Sequence, residues 1–294
     1  MRALDPSISI ARPWLALQMF GAVALMATGL GMAHGPWDRQ LFTFINAWAP
    51  ALPHTASALS VLGLGASMFV LAAMAGQRRP QMPAALVLCV IGGGLAVQLL
   101  KSWMAWPRPA SVLGPQELVI IGMTLKGRGM PSGHAAMFAV VATLAWLWPW
   151  SSGSRSCRRG AAATLSVLAL AGALARVVVG AHWPSDVLAG AGLGLATGLL
   201  VVGTDAGRRA VQWVADALSG RAGSRLMVAL LASTSASLWV AERELPLAQT
   251  WYAGLSLLGV VAASRWWRLH PDPLTQSLTQ AVTRVWSRRL SLRP

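Results

Sequence analysis

Long apolar runs, separated by short connectors that carry prolines and arginines, set the pattern of this chain. A helix crosses a bilayer in roughly 17–25 predominantly apolar residues. Runs of that kind recur at 14–33, 56–75, 83–100, 134–150, 161–179 and 187–203. Two weaker ones follow at 226–241 and 247–264, the first interrupted by Ser233, Thr234, Ser235 and Ser237. The pattern predicts an all-α fold: a polytopic membrane helix bundle with a six-helix core and a two-helix C-terminal extension. The division falls near residue 205, with the core in 1–205 and the extension, ending in a basic tail, in 206–294.

The connectors are more varied. The first apolar run is about twenty residues long, beyond the 7–15-residue core of a cleaved signal, so it reads as a retained helix. Residues 34–54 place Trp37, Leu41, Phe42, Ile45 and Trp48 at helix-like spacing. That segment is either a short interfacial helix with its apolar face in the headgroups or a plain connector. Residues 101–133 form a long loop in which Pro107, Pro109 and Pro115 argue against a continued helix. Within it, Leu118 to Ile121 suits a small strand or a lipid-touching patch. The tail that begins at Arg265 carries Trp266, Trp267 and Trp286 and is expected on the inner membrane surface.

Composition agrees with the pattern. The chain of 294 residues is 55% hydrophobic and 11% charged, against about 25% charged in a soluble domain. A net charge of +15 would suit nucleic acid if it were gathered in one patch, but it is not. Threading the helices from a cytoplasmic N-terminus puts Arg2, Arg12, Arg78, Arg79, Arg155, Arg158, Arg159, Arg208, Arg209, Arg221 and Arg225 on the inside, with the basic tail. The other side receives Arg39, Lys101, Arg108, Lys126, Arg128, Arg176 and Arg243. This is the asymmetry that orients membrane proteins, so the charge is topology, with anionic lipid as a neighbour, and nucleic acid is excluded as a partner. Cys89 inside a run and Cys157 in an inner loop are not placed to form a disulfide, and neither has metal-ligand spacing.

Three constellations gather the scarce polar residues. They are Lys101, then six residues, then Arg108-Pro109; the run Pro131-Ser132-Gly133-His134; and Arg176 with His182 and Asp186. Two lysines and five histidines are all the chain has, so this concentration is informative. Pro131 precedes an apolar run directly, and the free N–H groups of a helix start make an anion site. Gly133 admits close backbone approach, Ser132 adds a hydroxyl and His134 a transferable proton; the same run also suits a plain helix cap. Lys101 at a helix end suits snorkelling as well as binding, whereas Arg108 is fixed between two prolines. His182 and Asp186 are four apart at a helix entrance, within reach for a carboxylate to orient an imidazole. Under the threading above, all these side chains fall on the non-cytoplasmic side, near lipid headgroups. A mid-membrane position would cost a cation about 2.5–3.5 kcal/mol.

These three signatures resemble those of the type 2 phosphatidic acid phosphatase superfamily, which includes bacterial membrane lipid phosphatases, glucose-6-phosphatase and vanadium haloperoxidases. The first two are intact; in the third, Ala175 stands where serine is usual. The stretch from Asp38 to Trp48 also looks like the family's segment before the second helix, and the part beyond about 205 is not covered. The resemblance implies that His182 attacks phosphorus and Asp186 holds its tautomer. It implies that His134 protonates the leaving oxygen and then activates water. Lys101, Arg108, Arg176, Ser132 and the Gly133 backbone would clamp the phosphoryl oxygens. No metal and no other cofactor is implied, since a set of cations repels a divalent ion.

The expected function is therefore hydrolysis of a membrane lipid phosphate at the periplasmic face of a bacterial inner membrane. An isoprenoid diphosphate comes first among substrates, then lipid A phosphate or phosphatidylglycerol phosphate. Lys126 and Arg128 suit either a second phosphate or a solvated loop. A lipid-to-lipid phosphotransferase would use the same residues, and a non-catalytic transporter or scaffold on the same fold is the third reading. Oligomeric state is not written in the sequence.

Overall fold

The structure, a computed structural model, describes residues 12–76, 79–148, 154–241 and 245–269. Among them are eleven α-helices and no strand. In chain order these are α1 (Arg12–Met32), α2 (Pro36–Asn46), α3 (Pro53–Leu62), α4 (Gly65–Ala75), α5 (Gln81–Met104) and α6 (Gly133–Leu147). They continue with α7 (Arg155–Val178), α8 (Pro184–Gly198), α9 (Asp205–Ser219), α10 (Arg221–Ala241) and α11 (Gln249–Leu269). The molecule is an all-α membrane bundle. Among the described residues, five helical segments are long and apolar enough to cross a bilayer, or six if α3 and α4 count as one bent span.

Several expected elements differ in form. The run at 56–75 is not one helix: it breaks at Gly63–Leu64 and turns by 66°. A side chain at Gly63 would lie 2.4 Å from the Phe138 ring and 3.1 Å from His134, so the break makes room for both. Ser67 Oγ donates to the freed carbonyl of Val61 at 2.6 Å, which satisfies backbone that lipid cannot. The run at 134–150 is helical only to Leu147, with 149 and 150 outside the described residues; fifteen residues rise about 22 Å, short of a full span. The run at 226–241 is helical within α10, which is not among the five spanning segments found in the described residues. Residues 34–54 do contain a helix, α2. No run flagged α9, whose Val211, Ala215 and Leu218 are buried and Trp213 exposed. Leu118 to Ile121 form no strand; Leu118 and Ile121 are buried and Val119 is exposed. Arg2, Arg78, Arg243 and the tail beyond Leu269, with Trp286, lie outside the described residues.

α8 is the central post, and glycine sets how closely its neighbours approach. Gly190, Gly194 and Gly198 face α6: a Cβ on Gly194 would lie 2.0 Å from the Ala136 carbonyl oxygen, and one on Gly190 2.3 Å from that of Ser132. On another side Gly192 meets the Ala22 carbonyl oxygen of α1 at 2.5 Å by the same measure, and Gly29 of α1 meets Ser185 and Ala189. Such small-residue contacts drive helix association where lipid removes the hydrophobic incentive. Helices α10 and α11 pack against α4, and buried Val61 and Val70 share one cluster with Leu238, Tyr252 and Leu255.

Exposed tryptophans mark both ends of the bundle. Trp37, Trp48, Trp103, Trp239 and Trp251 ring the end where α5 and α7 finish and α6 and α8 begin. Trp14, Trp146, Trp213 and Trp267 ring the other, which also carries Arg79, Arg155, Arg158, Arg208, Arg225 and Arg268. Paired aromatic belts with the arginines beyond one of them are the pattern of a spanning bundle.

Candidate active site

Four helix ends meet inside the tryptophan ring that lacks the arginine cluster. The C-terminal ends of α5 and α7 bring Lys101 and Arg176, the N-terminal ends of α6 and α8 bring Ser132 to His134 and Asp186, and the α7–α8 turn brings His182. The loop after α5 carries Arg108 back across them. Every site residue expected from the sequence is thus at this end.

His182 is the centre, 2% exposed. Its Nδ1 lies 3.0 Å from Asp186 Oδ2, and its Nε2 lies 3.2 Å from Arg108 Nη1. A carboxylate accepts only, so Nδ1 carries the proton and Nε2 keeps its lone pair. The same Asp186 oxygen accepts the Trp183 N–H at 3.1 Å, which holds the carboxylate in the first turn of α8. Burial, followed by the cations Arg108, Lys101 and Arg176, holds His182 well below the ordinary histidine range. It is a neutral base facing positive charge.

The loop from Ala105 to Pro131 is organised backbone to backbone. Arg108 N–H donates to the Gly127 carbonyl at 3.0 Å and Gly129 N–H to the Trp106 carbonyl at 2.7 Å, around an isolated antiparallel bridge between Pro107 and Arg128. Lys101 Nζ donates to the carbonyls of Arg128 and Gly129 at 3.2 and 2.7 Å. Two of its three N–H donors therefore hold the loop. Arg108 Nη1 also donates to the Ala181 carbonyl at 2.8 Å, and Trp183 Nε1 to that of Pro107 at 3.0 Å. Lys101 is within electrostatic reach of Arg108, Asp186 and Arg176, as His134 is of the three cations.

Ser132 is fully buried and caps α6, its Oγ accepting the Ala135 N–H at 3.4 Å, while its own N–H donates to the Asp186 carbonyl at 2.9 Å. The Met130–Pro131 bond is cis. At Gly133 a Cβ would meet only Val97, at an ordinary 3.7 Å, so the protein itself does not forbid a side chain there. Arg176 is 4% exposed, and its carbonyl accepts the N–H groups of Ala181 and His182. The helix end that carries one cation is thereby tied to the histidine turn. Ala175 is buried among Ile121, Val178 and Val179. Lys126 and Arg128 are exposed, with Arg128 Nη1 on Ser102 Oγ at 2.8 Å.

A cleft of about 210 Å³ runs from Gly133 and His134 down between α5, α6 and the α3–α4 break, lined by Gly63, Val90, Gly93, Val97 and Thr197. It contains no charged side chain apart from whatever proton His134 holds.

Sequence reasoning gave no site role to four contributors. Gly129 leaves no room for a side chain, since a Cβ would stand 2.7 Å from Asp186 Oδ2. Trp183 fills the gap between the loop and Phe42, the ring centroids 5.0 Å apart. Asp38 and Asn46 of α2 are buried against the α7–α8 turn. Their signals were the resemblance of Asp38 to Trp48 to the family's segment before the second helix and their eight-residue spacing on the face that also carries Phe42.

With that geometry in view, residues 82–209 match the family model described as PAP2 superfamily. That segment is similar to the PAP2 superfamily. The PAP2 segment runs from the start of α5 into α9 and holds all three constellations, in agreement with the resemblance of the signatures. Among solved structures, the chain is similar to Aquifex aeolicus LpxE, 27% identical over 55% of this chain and 92% of that one, with a TM-score of 0.47. No curated protein matches the chain. The match to the PAP2 superfamily supports, in general terms, a phosphatase-type hydrolase acting on lipid in a membrane.

Proposed function

We propose that this protein hydrolyses a membrane lipid phosphate or diphosphate through a phosphohistidine on His182, at the periplasmic face of a bacterial inner membrane. The observation that carries the reading is the imidazole held at Nδ1 by Asp186, 3.0 Å away, with Nε2 aimed at a guanidinium 3.2 Å away. A lone pair facing a cation faces the place where a phosphoryl oxygen would bind.

In the first step Nε2 attacks phosphorus, the P–N bond forms and the bond to the leaving oxygen breaks. The Nδ1 proton stays on the ring, donated to Asp186, whose carboxylate stabilises the imidazolium character that develops. His134, at the start of α6, gives its proton to the leaving oxygen. Arg108, Arg176, the remaining Lys101 donor, the Ser132 hydroxyl and the N–H groups at the α6 start neutralise the phosphoryl oxygens. In the second step His134 takes a proton from water, the water oxygen attacks phosphorus and the P–N bond breaks. Inorganic phosphate leaves and His182 is restored. The steps use no metal, because the donors that meet the phosphate are cationic and would repel one. Residues in 1–205 supply all these groups; the extension in 206–294 supplies none of them.

The cleft beside His134 favours a lipid over a soluble ester, since it gives a hydrocarbon tail an uncharged path from the bilayer to the leaving oxygen. Isoprenoid diphosphate stands first as substrate, with lipid A phosphate and phosphatidylglycerol phosphate next. The test is phosphate release by purified protein from a panel of these lipids, with EDTA present throughout. Release from at least one lipid in EDTA is the expected result. Activity that disappears on chelation and returns with magnesium would overturn the mechanism.

A further inference from the structure

The turn that carries His182 is not held by the PAP2 segment alone. Residues Val179 to Trp183 join α7 to α8 with Gly180 at a φ of +76°, and helix α2, outside the matched segment, lies against both ends of that turn. Its buried face is Asp38, Phe42 and Asn46, one residue per helical turn and so in line along one side.

Each of the three meets a different part of the turn. Asn46 works at the α7 end: Nδ2 donates to the Val178 carbonyl at 2.9 Å and to that of Val119 at 2.8 Å, while Oδ1 accepts the Val119 N–H at 2.8 Å. It satisfies a terminal carbonyl of α7, which has no partner within its helix, and locks the 118–121 segment beside it. Phe42 packs in the middle, on the Trp183 ring. Asp38, with no exposed surface, works at the α8 end, accepting the Ser185 N–H at 2.9 Å and the Ser185 hydroxyl at 2.5 Å.

The Asp38 contact divides the donors at the start of α8 between two carboxylates. Ser185 N–H goes to Asp38 and Trp183 N–H goes to Asp186. Without Asp38, the Ser185 donors would be left to compete for Asp186, whose Oδ2 has to face His182 Nδ1. Asp186 would then be free to rotate toward its own helix start and away from the imidazole.

We propose that Asp38 and Asn46 are positioning residues for His182, and that α2 is a brace setting the angle at which Nε2 meets phosphorus. The brace touches no substrate. It rests on the reading of His182 as nucleophile.

Asp38→Ala and the near-isosteric Asn46→Asp test it in full-length protein in detergent. The measurements are the rate of phosphoryl-histidine formation in rapid quench, steady-state kcat and KM with a lipid phosphate, and the thermal midpoint. A misaligned nucleophile costs roughly 10–100-fold in rate. The brace therefore predicts that loss in adduct formation and in kcat, with KM within about twofold and the midpoint near wild type. Asn46→Asp keeps the acceptor for Val119 but loses the donors to Val119 and Val178, so it decides the matter if Asp38→Ala does not insert. A variant that forms the adduct at the wild-type rate overturns the brace alone. So does a fall in thermal midpoint with unchanged kcat per folded molecule, because α2 would then serve folding only. A wild type that never labels at His182 overturns the phosphatase mechanism, and the brace with it.

Discussion

At the scale of single residues, two glycines beside the phosphate site make opposite predictions. A Cβ at Gly129 would sit 2.7 Å from Asp186 Oδ2, so Gly129→Ala has to displace the carboxylate that orients His182. We expect a loss of kcat comparable with that of Asp186→Asn, on the order of 10²–10⁴-fold by analogy with triad carboxylates. Gly133→Ala meets only Val97 at 3.7 Å, so it should fold and melt like wild type. If the Gly133 backbone receives a phosphoryl oxygen, activity still falls, through weaker binding of phosphate and of vanadate. Equal vanadate affinity in Gly133→Ala and wild type would remove Gly133 from the site.

Protonation is predicted at the same scale. Burial and three neighbouring cations hold His182 below the ordinary histidine value of about 6.5. A depressed value means the ring remains neutral, with its lone pair intact, at pH 6.5, and loses nucleophilicity only under more acid conditions. The ¹⁵N ring resonances of His182, assigned by their absence in His182→Ala, report this directly. A ring already half-protonated at pH 6.5 or above would contradict the electrostatic picture.

At the scale of elements, the site depends on how closely α6 and α8 approach. Gly194→Leu would force the helices apart at the Ala136 carbonyl and stretch the bond from Ser132 N–H to the Asp186 carbonyl. Overpacking of this kind costs typically 1–3 kcal/mol or more. We expect a lower thermal midpoint in detergent together with lost activity. Gly92→Ala, with nothing within 4 Å of the added Cβ, should leave both unchanged. A stable, active Gly194→Leu protein would show that the small-residue contact does not set the site.

Elements also show where sequence was legible and where it was not. The apolar runs located the spanning helices, because hydropathy is a property of each segment alone. Lys101, Arg108, Ser132, Gly133, His134, Arg176, His182 and Asp186 were legible because each lies at or beside a helix end, and helix ends alternate sides predictably. The break between α3 and α4 was not, because Gly63 and Leu64 are apolar and the bend is dictated by Phe138 and His134 far along the chain. α9 was missed because a hydropathy window averages away the stripe of Val211, Ala215 and Leu218. Asp38 and Ser185 are separated by 147 positions, and no local pattern announces such a pairing. Gly129 is a glycine for reasons that only the folded position of Asp186 supplies.

At the scale of the whole molecule, orientation follows from charge. The arginine-rich end opposes the site, so the site faces away from the cytoplasm if the positive-inside bias holds. Reporter fusions within 151–160 and after Arg209 should be cytoplasmic, and fusions near Glu244 and within 110–128 should be outside. A cytoplasmic reporter within 110–128 would reverse the placement of the site. Lys101, Arg108 and Arg176 share one end of the bundle with Trp37, Trp48, Trp103, Trp239 and Trp251, and the cleft beside His134 runs between helices lined by Val90, Gly93, Val97 and Thr197.

The central claim is that His182 carries the phosphoryl group. It is tested most directly by mixing protein with a lipid phosphate labelled with ³²P, quenching in alkaline denaturant within milliseconds, and measuring label on the polypeptide. A label stable to alkali and lost in acid, present in wild type, trapped at a higher level in His134→Ala with a diphosphate substrate, and absent in His182→Ala, is the predicted result. Label or normal turnover in His182→Ala would contradict it.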